Sequence, residues 1–488
     1  VTPSASVTER WLSVAAGSCP DVAPALAAFG GEVTPASSAA RTDDALAEAR
    51  AHLPSLRAHI EQALIAEVDA DQAALFARRV DQVYAWLERV AEADPDGAHA
   101  LQLGLLARAW QVLTGPPPRA LRVRAVADFY YSQGGLRAAR ARPDRASSPT
   151  VDALLAGAAP TLVAPGVWRA TVEAITQDGP FRASWLVVEP GRARIAAARA
   201  PIDADGALAV VSGGFFLYSE PDVRPPERRG DPVGLLVSDG VVVGPPTFPR
   251  CALVVDAAGA WSVRVVSMDE VAVHVGGATL VIGQGATITH RGHASRAAGH
   301  GFAVAAGQVV AVGEHLDVPT GGFVVASPHA PAVGAPVAYR LPIDGVQAAM
   351  AGGPRLLEGG HVVVGPERLR AEGFTATAPP ITFSADETFD QNLLPRCAAG
   401  IRADGALVFL AIDGRHATRA LGATLRGTAR ALRTLGCVDA VNLDGGSSKR
   451  LIVEGVVQDL PSTDVVGVAA TDPAAVRALR TAFVIRRP

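Results

Sequence analysis

Apolar residues in the first third of the chain recur at spacings of three and four. Leu46, Ala49, Leu53, Leu56, Ile60 and Leu64 form one stripe. Leu75, Phe76, Val80, Val83, Trp86, Leu87 and Val90 form a second. After Asp94-Pro95-Asp96-Gly97 a third runs through Leu101, Leu103, Leu105, Leu106, Trp110 and Leu113. Beyond the Gly115-Pro116-Pro117-Pro118 break, a fourth follows Val123, Val126, Phe129 and Tyr130. One apolar face per helix predicts a four-helix bundle over residues 41–145. It carries no catalytic constellation, so a packing or docking role is expected. The Ala-, Ser- and Pro-rich residues 1–40 read as a loosely ordered lead-in, and residues 146–160 as a linker.

From residue 161 the pattern changes. Short Val-rich runs (Ser184–Val188, Ala207–Val211, Gly234–Val237, Val241–Val243, Cys251–Val255, Ser262–Val266) alternate with Gly and Pro turns. Asp205-Gly206, Asp239-Gly240 and Asp404-Gly405 read as hairpin-type turns. One long helix interrupts the strands at Thr424–Leu435. The expected fold class is therefore α+β: an N-terminal helical bundle, then a β-rich α+β domain over residues 161–488.

Composition narrows the function. A chain of 488 residues, 49% hydrophobic, is long enough for two cores. A formal net charge of −4 gives no reason to expect a nucleic-acid partner. No run of 18 apolar residues marks a membrane span. The opening Val1-Thr2-Pro3-Ser4 has no signal-peptide pattern, so the chain reads as cytoplasmic unless it is a processed form of an exported one. Cys19, Cys251, Cys397 and Cys437 lie far apart and are expected to be buried small hydrophobes. Among 44 Lys and Arg, the single lysine is Lys449.

The chemistry concentrates between Pro395 and Leu460. A strand over 406–412 closes on Asp413-Gly414-Arg415. A helix follows, with Thr424 as its N-cap and Gly436 at its end. A second strand, Val438–Leu443, closes on Asp444-Gly445-Gly446-Ser447-Ser448. If the two strands are parallel neighbours, both acidic turns share one sheet edge. Asp413 and Asp444 would then meet in the crevice where α/β ligands bind. The N–H groups of Gly445, Gly446 and Ser447 would cradle an anion, and Arg396 and Arg415 offer planar forks for a phosphate. Carboxylates beside anion-binding groups suit cleavage of a phosphorylated carbohydrate.

These motifs resemble the phosphodiester glycosidase family. The resemblance rests on Asp413-Gly414-Arg415, Gly422-x-Thr424 and Asn442-Leu443-Asp444-Gly445-Gly446-Ser447-Ser448. Upstream, Ser212-Gly213-Gly214-Phe215-Phe216, Gly234–Gly240 and Gly352-Gly353-Pro354-Arg355-Leu356 follow in the family's order. The resemblance implies hydrolysis of a sugar-1-phosphodiester or similar glycosyl phosphate. Asp444 is the expected base or nucleophile, and Asp413 its acid/base partner or the anchor of an arginine. Arg396, Arg415, Gly213, Gly214, Asn442, Gly445, Gly446, Ser447, Ser448 and Lys449 are the expected substrate and phosphate contacts.

No cofactor is expected; Glu220, Asp222 and Glu227 are the carboxylates that would serve a divalent ion. Two rival readings stand beside this one. Ser212 and Ser447 depart from the family's Asn and Gly, which favours a non-catalytic carbohydrate- or nucleotide-binding module on the same fold. His290, His293 and His300, loosely spaced, would suit a metal-dependent hydrolase.

Overall fold

A computed structural model describes residues 150–176, 179–217, 230–290, 294–374, 394–414, 419–420, 422–462 and 477–488. The predicted bundle, 41–145, and the lead-in, 1–40, lie outside these residues. The described residues are 51% strand and 9% helix with three helices, which overturns the expected fold class: they form a β-rich domain, and no helical bundle is supported.

The strands, in chain order, open with β1 (Thr161–Ala164), β2 (Val167–Thr176), β3 (Gly179–Val188), β4 (Arg194–Arg199), β5 (Ala207–Ser212), β6 (Leu236–Ser238), β7 (Val241–Gly244), β8 (Arg250–Asp256) and β9 (Trp261–Val266). Next come β10 (Ala272–Val275), β11 (Ala278–Ile282), β12 (Gly285–His290), β13 (His300–Ala305), β14 (Gln308–Glu314), β15 (Phe323–Ala326) and β16 (Val337–Arg340). The last group is β17 (Val346–Ala351), β18 (Arg355–Glu358), β19 (His361–Val362), β20 (Arg396–Arg402), β21 (Leu407–Ile412), β22 (Cys437–Leu443), β23 (Leu451–Val453), β24 (Val456–Val457) and β25 (Thr481–Arg486). The helices are α1 (Val151–Ala156), α2 (Pro366–Ala371) and α3 (Leu425–Thr434). Part of the stretch read as linker is thus helical: α1 is tied to α3 by Asp152, which accepts from Arg430 and Thr434.

Four sheets result. The largest has the order β1-β2-β3-β21-β20-β22-β18-β19; the others run β14-β13-β15-β12-β11-β10-β16, β7-β6-β17-β8-β9 and β24-β23-β5-β25-β4. One face of the largest sheet packs against the two five-stranded sheets, burying Val211, Leu253, Met350, Phe409, Leu443 and Phe483 in one cluster. Its other face is covered by helices, burying Ala183, Ala398, Ile412, Leu425, Ala429 and Ala440. The seven-stranded sheet, residues 272–340, packs with β6, β8 and β17 around a core of its own.

The local signals explain much of this. Asp239-Gly240 closes the β6–β7 hairpin with both residues at positive φ, the turn that matches strand twist. Asp404-Gly405 lies between the paired strands β20 and β21. Asp205-Gly206 is a turn but not a hairpin, because β25 separates β4 from β5. The long helix forms as predicted: the Thr424 side chain accepts from Gly427 N at 3.0 Å, and Gly436 follows at φ 89°.

Phe409 is fully buried between the sheets, 5.5 Å from the ring of Phe483. Phe409→Ala is expected to lower unfolding free energy by about 3–5 kcal/mol in urea titrations. A loss below about 1 kcal/mol would mean that this inter-sheet core contributes little.

Candidate active site

The acidic turns do reach one sheet edge, but not as adjacent strands. β20 lies between β21 and β22 and pairs antiparallel with both. β21 and β22 are therefore parallel to each other, one strand apart. The amino end of β20, with Arg396, enters between their carboxyl ends.

Face alternation then separates the two carboxylates. Ile412 belongs to the helix-covered core, so the next residue, Asp413, points to the inter-sheet side. Leu443 belongs to the inter-sheet core, so Asp444 points to the helix-covered side. The expectation that they meet in one crevice is corrected here: a one-residue difference in where the strands end puts them on opposite faces.

Asp413 is fully buried and committed. It accepts from Arg182 Nη1, from Lys449 Nζ and from Leu460 N, the last at 3.0 Å. Arg182 also donates to Gln458 O at 2.7 Å and pairs with Glu173 at 3.1 Å. Of the two roles the motif suggested for Asp413, the geometry favours anchoring an arginine.

Lys449 is equally sealed. Its three donors go to Asp413, to Asp459 Oδ2 at 3.1 Å and to Leu460 O at 3.1 Å. An ammonium has three protons, so none is left for a phosphate. The expected role of Lys449 as a phosphate contact is corrected to the centre of a buried ion cluster. Asp459 adds Arg450 Nη1 at 3.0 Å and Leu451 N at 2.7 Å. Residues 182, 450 and 459 were missed in the sequence. The single lysine within a turn motif was the available signal, but nothing local names its partners.

The glycine motifs serve close packing. A Cβ on Gly213 would stand 2.1 Å from Met350 S, and one on Gly214 2.2 Å from Ala351 O. Both glycines are buried, Gly213 against the Met350 side chain and Gly214 against the Ala351 backbone, so their expected substrate contact gives way to packing on β17. A Cβ on Gly445 would meet Pro395 O at 2.6 Å. The Gly446 N–H donates to Pro395 O at 2.9 Å, which removes it from the expected anion cradle. Ser212, buried, donates through Oγ to Ser448 O.

Asp444 remains half-buried, and its N–H donates to Gly213 O at 2.9 Å. The β20–β22 register, with Ala398 opposite Asn442 and Cys397 opposite Leu443, extends to set Arg396 opposite Asp444. Arg396 is buried and donates through Nε to Ala423 O at 2.9 Å, just ahead of α3. Asn442, on the same face, donates through Nδ2 to Gly353 O at 2.9 Å. Ser447 and Ser448 form the short 3-10 turn Gly446–Ser448, and Ser448 Oγ accepts from Arg477 Nη1 at 3.2 Å. Arg477 was also missed. Arg415 lies outside the described residues, as do Glu220, Asp222 and Glu227.

Beside the Gly352–Pro354 turn, Arg250 is buried in an aromatic cage. Its guanidinium carbon lies 4.2 Å from the Phe374 ring centroid, 4.7 Å from Phe248 and 5.7 Å from Phe215. Burial lowers its pKa to about 9, partly offset by Glu372. Glu372 is itself buried; its carboxylate accepts from Cys251 N at 2.9 Å and Arg355 N at 2.8 Å. Desolvation still holds it above the ordinary carboxylate range. Cys251, Cys397 and Cys437 are buried free thiols with raised pKa values, as expected for inert core cysteines; Cys19 is outside the described residues.

His290 is buried against Phe248, ring centroids 4.8 Å apart, and the His300 ring bonds Ser327 O at 3.1 Å. His293 is not described. Among the described residues no group of three or more His, Cys, Asp or Glu is placed to hold a metal ion, and no helix is long and apolar enough to cross a membrane.

Residues 276–486 match the model of the phosphodiester glycosidase family, which bears out the resemblance read from the motifs. The matched span holds both acidic turns and the Gly352–Pro354 turn; Ser212–Phe216 lies upstream of it. No curated protein matches the chain. Among solved structures, a hypothetical protein from Synechocystis is similar at 19% identity and TM-score 0.45, over 68% of this chain and 64% of that one. A putative exported protein from Burkholderia pseudomallei is similar at 22% and 0.43, over 64% and 75%. The zebrafish N-acetylglucosamine-1-phosphodiester α-N-acetylglucosaminidase catalytic domain, auto-inhibited by its pro-peptide, gives 14% and 0.38, over 67% and 85%. The chain thus spans less than two thirds of the Synechocystis protein's length.

Two outcomes are expected. Lys449→Met leaves Asp413 with Arg182 and Asp459 with Arg450 as their remaining cations, and the lost charge-assisted hydrogen bonds should cost about 1.5–3 kcal/mol in urea unfolding; an unchanged midpoint would show the cluster to be solvated. For Glu372, the folded state holds its proton to higher pH than the unfolded chain, whose ordinary value is 4.5. Its contribution to stability is therefore greatest below that value and is lost as pH rises through the folded one. Glu372→Gln should flatten that fall in a pH series of urea midpoints; an unchanged slope would assign the fall elsewhere.

Proposed function

We propose that this domain hydrolyses the glycosidic bond of a sugar-1-phosphodiester or similar glycosyl phosphate. Water attacks the anomeric carbon, Asp444 accepts its proton, and the carbon–oxygen bond to phosphate breaks. Asp444 also stabilises the oxocarbenium-like charge that develops on the sugar. A phosphate leaves with its negative charge already stabilised, so strong general-acid help is unnecessary. Arg396, opposite Asp444 on the same face, supplies positive charge on the phosphate side.

The observation that carries this reading is the division of the two motif carboxylates. Asp413 is sealed from solvent, while Asp444 stays half-buried at the strand end. The binding-module alternative drew on Ser212 and Ser447. Ser212 is buried and bonded to Ser448 O, so that departure from the family pattern is met by packing rather than by substrate. The family match supports the enzymatic class; the sugar and the leaving group belong to the proposal.

Asp444→Asn is expected to lower kcat/KM on a panel of sugar-1-phosphodiesters, UDP-N-acetylglucosamine included, by about 10²–10⁴-fold with the melting temperature unchanged. Undiminished turnover in this variant contradicts the assignment. Binding without turnover by the unaltered protein would favour the binding module.

A further inference from the structure

Asn442 carries a buried polar atom that the proposed reaction does not use. Its side chain is 3% exposed, and its Oδ1 is a buried side-chain acceptor with no hydrogen-bond partner. The amide is held in one orientation. Nδ2 donates to Gly353 O at 2.9 Å, so Oδ1 is the end left over. The backbone on either side is tied as well: Asn442 N donates to Pro354 O at 3.1 Å, and Gly353 N donates to Asn442 O at 2.8 Å. An amide oxygen left without a donor in a dry site carries a standing cost, and an apolar residue of similar size would avoid it.

Its position says what would use it. Asn442 and Asp444 lie two residues apart on the helix-covered face, about 7 Å along the strand. That span separates a carboxylate at the anomeric carbon from a group that contacts the substituent on the neighbouring ring carbon. An amide oxygen only accepts, and so do the oxygens of a phosphodiester. Oδ1 therefore cannot serve the phosphate, which narrows the role the motif suggested for Asn442.

We infer that Asn442 is a specificity-determining residue whose Oδ1 accepts a hydrogen bond from the hydroxyl or amide N–H that the sugar bears beside its anomeric carbon. This inference rests on the proposed glycosidase reading. It implies that sugars with a donor at that carbon are preferred over the corresponding deoxy sugars, because the site built to accept that bond is left unsatisfied by them.

The test compares N-acetylglucosamine, glucose and 2-deoxyglucose 1-phosphates by titration calorimetry, and the matching diesters by hydrolysis. The unaltered protein is expected to favour the donor-bearing sugars about 10–100-fold. In Asn442→Leu the preference should shrink to about 3-fold or less, mainly by loss of the donor-bearing ligands. Equal binding of all three sugars by the unaltered protein overturns the inference without need of the variant, as does a preference that Asn442→Leu retains. A binding preference without turnover of any diester would sink the glycosidase reading and leave the Asn442 assignment standing. Turnover at equal rates on every sugar does the reverse, and neither binding nor turnover overturns both.

Discussion

The fold at the site depends on one buried cation. Lys449 sits at the junction of the largest sheet and the five-stranded sheet that carries β23, with its ammonium fully enclosed. A bare ammonium in such a place is prohibitive, and it persists only because Asp413, Asp459 and a backbone carbonyl take all three protons. The partners come from β21's end and the segment after β24, and Arg182 of β3 joins through Asp413. Satisfying this one charge therefore fixes the relative placement of elements from residues 182 to 460.

That constraint decides the chemistry available to the Asp444 turn. Lys449 follows the 3-10 turn Gly446–Ser448 directly, so the turn is pinned on its C-terminal side by the ion cluster. On its other side, Gly446 donates to Pro395 O and Asp444 donates to Gly213 O. Gly445 is required because Pro395 O occupies the space a Cβ would need, and Gly446 takes a φ of 59°. The consequence is a pinned turn in which Asp444 stays half-buried, opposite Arg396 in register and two residues from Asn442.

Much of this was legible in the sequence, and the rest had physical reasons for being hidden. Glycine turns and Val-rich runs mark the strands, and Thr424 and Gly436 mark both ends of the long helix. The Asp-Gly endings placed residues 413 and 444 at one sheet edge. Their opposite faces were not legible, because a period of two makes the face depend on a single residue of register. β20's place between β21 and β22 was also hidden, since pairing is a property of the folded sheet. Arg182 lies 231 residues from its partner Asp413, so no local pattern links them. The helical periodicity of residues 41–145 lies outside the described residues, and the expectation built on it gives way to a β-rich domain.

The central claim is that substrate meets Asp444 on the helix-covered face while Asp413 stays sealed on the other. A crystal structure of the protein with a bound sugar 1-phosphate tests it most directly. We expect the anomeric carbon beside Asp444, with Asp413 still bound to Lys449 and Arg182. A sugar seated against Asp413, with the ion cluster opened to admit it, would contradict the claim.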